Sequence, residues 1–191
     1  MTTPVRFIHI EKCGGTSVAK FFEQNNFDFL MGKNLKKNKK HSHAAMFENE
    51  DSFKFTVVRN PYTRLISFYN YSKNKIGDCT FDYFVRHKLS ENLITPQVMK
   101  IHKPVEDFQF GPMPIRDLEK QYHWDKILVD KIFKLENLTE LKNWFKIDDD
   151  FPIENKSIEA DPKNYYDYEL EKIVYEHFKK DFVILGYSAD L

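Results

Sequence analysis

The stretch FIHIEKCGGTS, residues 7–17, runs from an apolar strand into a lysine, two glycines and two hydroxyl side chains. Glycine lets a backbone approach an anion closely, with successive N–H groups turned inward. A helix starting at the same point adds its positive end. Lys12 supplies a full charge, and the amides of Cys13, Gly14 and Gly15 supply donors. Thr16 and Ser17 supply hydroxyls and are also expected to cap the helix. This is phosphate-gripping chemistry, although the same residues also describe an ordinary strand-to-helix turn. The nucleoside-triphosphate loop GxxxxGK[ST] fits badly: Thr16 stands where its lysine belongs, and Lys12 precedes the glycines. No apolar strand ends in an aspartate well placed for Mg²⁺, which argues further against an ATPase or kinase.

Two more groups have useful chemistry. In FTVVRNPYTRLISFYNY, residues 55–71, Arg59 stands at the end of a strand and Ser67 lies about two turns into the helix that Pro61 begins. Arginine offers a phosphate a bidentate fork, and the carboxyl ends of parallel strands are where such ligands collect. Two anion sites at two strand ends suit a ligand with phosphate at both ends. In HSHAAM, residues 41–46, His41 and His43 are two apart and face the same way if the chain is extended. Histidine titrates near neutral pH and suits removal of a proton from a hydroxyl. Glu48 or Glu50 is the fallback base. As metal ligands the two histidines lack a third partner, so no metal site is expected.

The elements that position these groups follow from periodicity. Val5 to Ile10 reads as a strand, Thr16 to Gln24 as a helix, Phe27 to Met31 as a second strand, and Phe53 to Val58 as a clear strand. Tyr62 to Lys73 and Phe81 to His87 read as helices, and Leu93 to Gly111 is mixed. Leu118 to Tyr122 reads as a short helix, Lys131 to Leu135 as a strand, and Leu138 to Phe145 as a helix. Tyr168 to Phe178 is amphipathic and helical, and Phe182 to Leu185 is a last apolar stretch. Strand–helix–strand order at the start predicts an α/β fold with a mostly parallel sheet.

With 191 residues and no linker or repeat, one domain over residues 1–191 is expected. The 29 basic and 29 acidic side chains cancel, so nothing in the overall charge favours nucleic acid. Cys13 and Cys79 are too few for a disulfide framework and are expected as thiols. The opening MTTPVRFIHI lacks a signal-peptide apolar run, and no run of about 18 apolar residues occurs, so a cytoplasmic location is expected. The lysine-rich stretch Lys33 to Lys40 reads as a solvated loop or as an attractor for an anionic acceptor. Phe108, Phe110, Tyr122 and Trp124 read mainly as core, with sugar stacking as the other option; Tyr165 and Tyr166 read as packing.

KxGGTS, together with VRNPxxRLxSxY at this separation, resembles the carbohydrate-type sulfotransferases, which use 3′-phosphoadenosine 5′-phosphosulfate (PAPS). That group includes the heparan sulfate 2-O-sulfotransferases and shorter bacterial and viral members. KIFKLENLTEL (131–141), Asn155-Lys156-Ser157 and DFVILGY (181–187) resemble further family landmarks, while the acceptor half is poorly matched. The resemblance implies the α/β architecture of P-loop-containing nucleoside-triphosphate hydrolases, a central mostly parallel sheet flanked by helices. It implies that Lys12, Cys13, Gly14, Gly15, Thr16 and Ser17 hold the 5′-phosphosulfate. Arg59 and Ser67 would hold the 3′-phosphate, and Lys156 would lie near the nucleotide. It puts the catalytic base at His43, with Lys12 also catalytic, and makes the expected acceptor a hydroxyl compound, a carbohydrate, with no metal required. The competing readings are a nucleotide kinase or P-loop NTPase, and a non-catalytic module binding 3′-phosphoadenosine 5′-phosphate (PAP).

Overall fold

The computed structural model describes residues 3–32, 42–77, 79–106, 115–152 and 161–191. Its strands are Val5–Ile8 (β1), Leu30–Met31 (β2), Phe53–Val58 (β3), His102–Pro104 (β4), Tyr122–Ile127 (β5) and Lys131–Lys134 (β6). Its α-helices are Gly15–Gln24 (α1), Pro61–Ile76 (α2), Phe81–Ser90 (α3), Ile115–Glu119 (α4), Leu138–Phe145 (α5) and Tyr168–Leu185 (α6). The chain divides into two compact units. The first comprises Met1–Arg59, Lys100–Lys103 and Trp124–Lys156; the second comprises Asn60–Met99, Pro104–His123 and Ser157–Leu191.

The first unit is built on a sheet of order β2-β1-β3-β6, with every neighbouring pair parallel. Strand alternation sends Phe7, Phe55, Val57 and Phe133 to one face, where Val18, Phe21 and Phe22 of α1 and Leu141 of α5 cover them. Phe7 and Phe55 stack at 4.9 Å, and Phe22 meets Phe145 edge-on at 5.0 Å. Burying one such ring contributes about 2–3 kcal/mol, so this aromatic layer is what fixes the sheet against its helices. Ile8 faces the other way, onto Ala44 and Phe47 of a 3-10 turn, Ala44–Phe47.

The strand order has a functional consequence. From β1 the chain passes through α1 to β2 on one side, while β3 and then β6 lie on the other. The order reverses between β1 and β3, and the crevice beyond the carboxyl ends of such a pair is where open α/β sheets bind ligands.

The second unit packs α2, α3 and α6 around Tyr62, Leu65, Phe84, Val85, Val174 and Phe178. Asn60 caps α2, its side chain accepting from Tyr62 N at 2.9 Å, and Pro61 occupies the first turn. Tyr166 donates its hydroxyl to Tyr62 O at 2.8 Å, and Tyr165 packs on Phe81 at 5.0 Å, so both tyrosines serve packing as expected.

Four expectations from the sequence are corrected. The second strand is confined to Leu30–Met31. The short helix ends at Glu119, and Tyr122 instead opens β5, whose side chains pass from buried to exposed without the alternation that marks a strand in sequence. Phe182 to Leu185 continues α6, because Phe178, Phe182 and Leu185 recur at helical spacing on its buried face, past a kink at Phe178. Thr16 and Ser17 do not cap α1; that role falls to Gly14.

Candidate active site

The loop after β1 is shaped by two backbone positions. Lys12 has φ 63° and Gly14 has φ 73°, both left-handed, so the chain reverses twice before α1 begins. For a lysine this conformation costs about 1–2 kcal/mol, a cost borne at a position where a charged side chain must be aimed. Gly14 is the N-cap and makes no side-chain cap bond to α1, whose first turn contains no acidic residue. A helix start of this kind directs its first-turn N–H groups and its positive end towards an anion at the loop.

Gly15 is required by its neighbour, and Gly14 by its left-handed backbone. A Cβ on Gly14 would lie 2.5 Å from Leu135 Cδ1, which places the LENL segment directly over the loop. A Cβ on Gly15 would lie 1.9 Å from His9 Nε2, because the buried His9 imidazole fills the space under the first turn of α1. Cys13 is buried, its Sγ donating to Glu11 O at 3.5 Å. The Thr16 side chain is exposed and Ser17 half-exposed.

Arg59 arrives from the neighbouring strand end. Thr56 Oγ1 donates to Ile8 O at 2.7 Å, locking the two strands in register, and three residues on, Arg59 Nη1 donates to Lys12 O at 3.5 Å. Burial pushes the Lys12 ammonium below the ordinary lysine range and the Arg59 charge pushes it further, against a smaller opposing effect of Cys13. The Arg59 guanidinium bonds to the Lys12 backbone and its charge is felt by the Lys12 ammonium, an arrangement in a partly buried loop that is complementary to a polyanion.

His43 opens the 3-10 turn, where its Nδ1 accepts from Ala45 N at 3.1 Å. In the neutral ring the proton therefore sits on Nε2. The alternative bases are engaged elsewhere: Glu48 accepts from Lys103 Nζ at 2.6 Å, and Glu50 takes a two-pronged bond from Arg6 at 2.9 and 2.7 Å. Burial raises the Glu50 carboxyl, but the bonds from Arg6 and Ser52 and the charges of Arg6 and Lys54 outweigh it and hold the group below its ordinary value, which makes it a poor base.

Ser67 lies on α2 in the second unit and is buried. His41, Lys156 with its N-x-S neighbours, the lysine stretch 33–40, Phe108 and Phe110 lie outside the described residues. Sequence reasoning passed over Arg6, His9 and Leu135, all packed on or beside this loop and its neighbouring turn. A charged residue inside the apolar strand VRFI was the one available signal. Among the described residues no group of three or more His, Cys, Asp or Glu is arranged to hold a metal ion, and no helix is long and apolar enough to cross a membrane.

A parallel sheet with a cationic, glycine-shaped loop at its switch point defines an α/β anion-binding protein of the P-loop type. The sulfotransferase family model matches residues 2–188, and the chain belongs to that family, whose members take a sulfuryl group from PAPS. The fold is similar to that of the crystal structure of mouse sulfotransferase SULT7A1 complexed with PAP, with a TM-score of 0.56 and 12% identity over 97% of this chain and 89% of that one. No curated protein sequence matches the chain.

Proposed function

We propose that this sulfotransferase transfers the sulfuryl group of PAPS to a hydroxyl of a carbohydrate, with His43 as the base. The reading is carried by the meeting of Lys12 and Arg59 at the ends of β1 and β3, beside a helix start that no side chain caps. That cluster fits a nucleotide bearing phosphate at both ends better than a nucleoside triphosphate, whose loop would carry its lysine at position 16. The carbohydrate acceptor is supported by the likeness of KxGGTS and VRNPxxRLxSxY to carbohydrate sulfotransferases.

PAPS, when bound, supplies an activated sulfur whose leaving group is a phosphate. Lys12 and the Gly14–Ser17 backbone hold the 5′ end and neutralise the negative charge that grows on the departing oxygen. Arg59 holds the 3′-phosphate and acts on binding more than on rate. His43 takes the acceptor proton on Nδ1 once the hydrogen bond from Ala45 N to that nitrogen opens, and the imidazolium then carries an N–H on both nitrogens. A sulfuryl group carries less charge than a phosphoryl group, so cationic side chains serve where a kinase needs Mg²⁺.

The test is transfer of radiolabelled sulfate from PAPS to a panel of uronic-acid and neutral glycans, run with the native protein and His43→Ala. Label on a glycan, lost in the variant, is expected. Label on none of them contradicts the carbohydrate assignment, and full turnover by His43→Ala contradicts the base.

A further inference from the structure

Arg6 is a charged residue in the middle of a buried strand. It is 7% exposed, and a guanidinium in such a place is costly unless its donors are satisfied. They are satisfied in a particular way. Nε and Nη2 meet the two carboxylate oxygens of Glu50 at 2.9 and 2.7 Å, Nη1 donates to Gly32 O at 2.9 Å, and the guanidinium carbon lies 4.2 Å from the centre of the Phe47 ring.

These partners are grouped in sequence. Gly32 directly follows β2, whereas Phe47 and Glu50 lie in and just after the 3-10 turn that His43 caps. From His43 to Glu50 the backbone is tied by Met46 N to His43 O at 3.0 Å and by Glu50 N to Phe47 O at 3.0 Å. Ile8, two residues along the same strand, packs on Ala44 and Phe47. Continuing along the chain, the same strand delivers Lys12. One strand therefore carries the anion loop at its tip and, at its base, the side chain that grips the turn bearing His43.

We propose that Arg6 is a positioning residue that fixes His43 relative to the Lys12 loop. The proposal rests on the assignment of His43 as the base. A bidentate fork stacked on a ring sets distance and orientation together, which a lysine at this position would not do. Misplacing a catalytic group by about 1 Å commonly costs about a hundredfold in rate.

The experiment is a double-mutant cycle on the intact protein. Arg6→Met keeps bulk and removes the fork, and Glu50→Gln keeps shape while weakening it, which gives a milder variant should Arg6→Met fold poorly. Each is made in the native and the His43→Ala backgrounds. Turnover per folded molecule, KM for PAPS and the thermal shift with PAP are then measured. In the native background Arg6→Met should lower kcat about ten- to a hundredfold and Glu50→Gln less, with PAP binding changed less than about twofold. In the His43→Ala background both effects should vanish, because residues acting as one unit are not additive. Equal losses in both backgrounds would show a merely structural role and overturn this proposal alone. Full turnover by His43→Ala would overturn the base assignment and the proposal with it.

Discussion

The guanidinium of Arg59 reaches across from the end of β3 to donate to the backbone carbonyl of Lys12, at 3.5 Å. The two cationic residues thus stand together at the point where the strand order reverses. Lys12→Ala is expected to lower turnover by a hundredfold or more, corresponding to about 3 kcal/mol of lost charge stabilisation. Arg59→Ala is expected to raise KM for PAPS with a smaller change in kcat. Steady-state kinetics separates the two, and equal effects on kcat from both variants would contradict the division of roles.

Lys12 should also report on binding through its proton. Its pKa is lowered in the free protein, first by burial and then by Arg59. A bound anion favours the charged form and raises it again. Between those two values binding takes up a proton, so affinity for PAP declines as pH rises through the lowered value. Calorimetry in buffers of different ionisation enthalpy should detect this uptake on the alkaline side. It should be absent from Lys12→Met.

The glycines make separable predictions. Gly15→Ala drives its methyl into the His9 ring and should abolish PAP binding, and His9→Ala in the same chain should restore much of it by opening space. Gly14→Ala meets Leu135 but also sits at φ 73°, so Leu135→Ala should rescue it only in part; about 1–2 kcal/mol of backbone strain remains. Thermal melts with and without PAP distinguish these cases.

Acid stability should depend on His177. Burial lowers its pKa to about 4, opposed by the bond to Ile94 O and reinforced by the Arg64 charge. The unfolded chain binds this proton near pH 6.5 and the folded chain does not, so stability falls as pH drops from about 6.5 towards 4, by about 3 kcal/mol in all. Buried Asp181, whose pKa burial raises, takes up a proton in the folded state and offsets part of that loss. His177→Gln can still donate to Ile94 O, and its denaturant midpoint should vary less with pH over this range.

Much of the fold could be read from local pattern. FKFTVV and KIFK are apolar strands bounded by turn residues, and Asn60-Pro61 marks its helix start by capping chemistry alone. The Lys12 loop was legible because glycine at a left-handed position has a local cause. What escaped depends on partners distant in sequence. Arg6 finds Glu50 across 44 residues, and Gly14 finds Leu135, with nothing in either segment to announce the meeting. The N-cap was misread because serine and threonine ordinarily take that position, whereas Gly14 holds it here with no side chain at all. The β5 strand escaped because the alternation in YHWDKI stops after Asp125, and its side chains pass from buried to exposed rather than alternating.

The central claim is that the ends of β1 and β3 together hold a nucleotide by both its 5′ and 3′ phosphates. Comparing the thermal shift produced by PAP with those produced by ADP and ATP tests it most directly. PAP at a hundred times its dissociation constant should stabilise the protein by about 2.7 kcal/mol. ADP and ATP at the same concentration should do far less, and Arg59→Ala should erase the difference. Equal stabilisation by PAP and ADP in the native protein would contradict the claim.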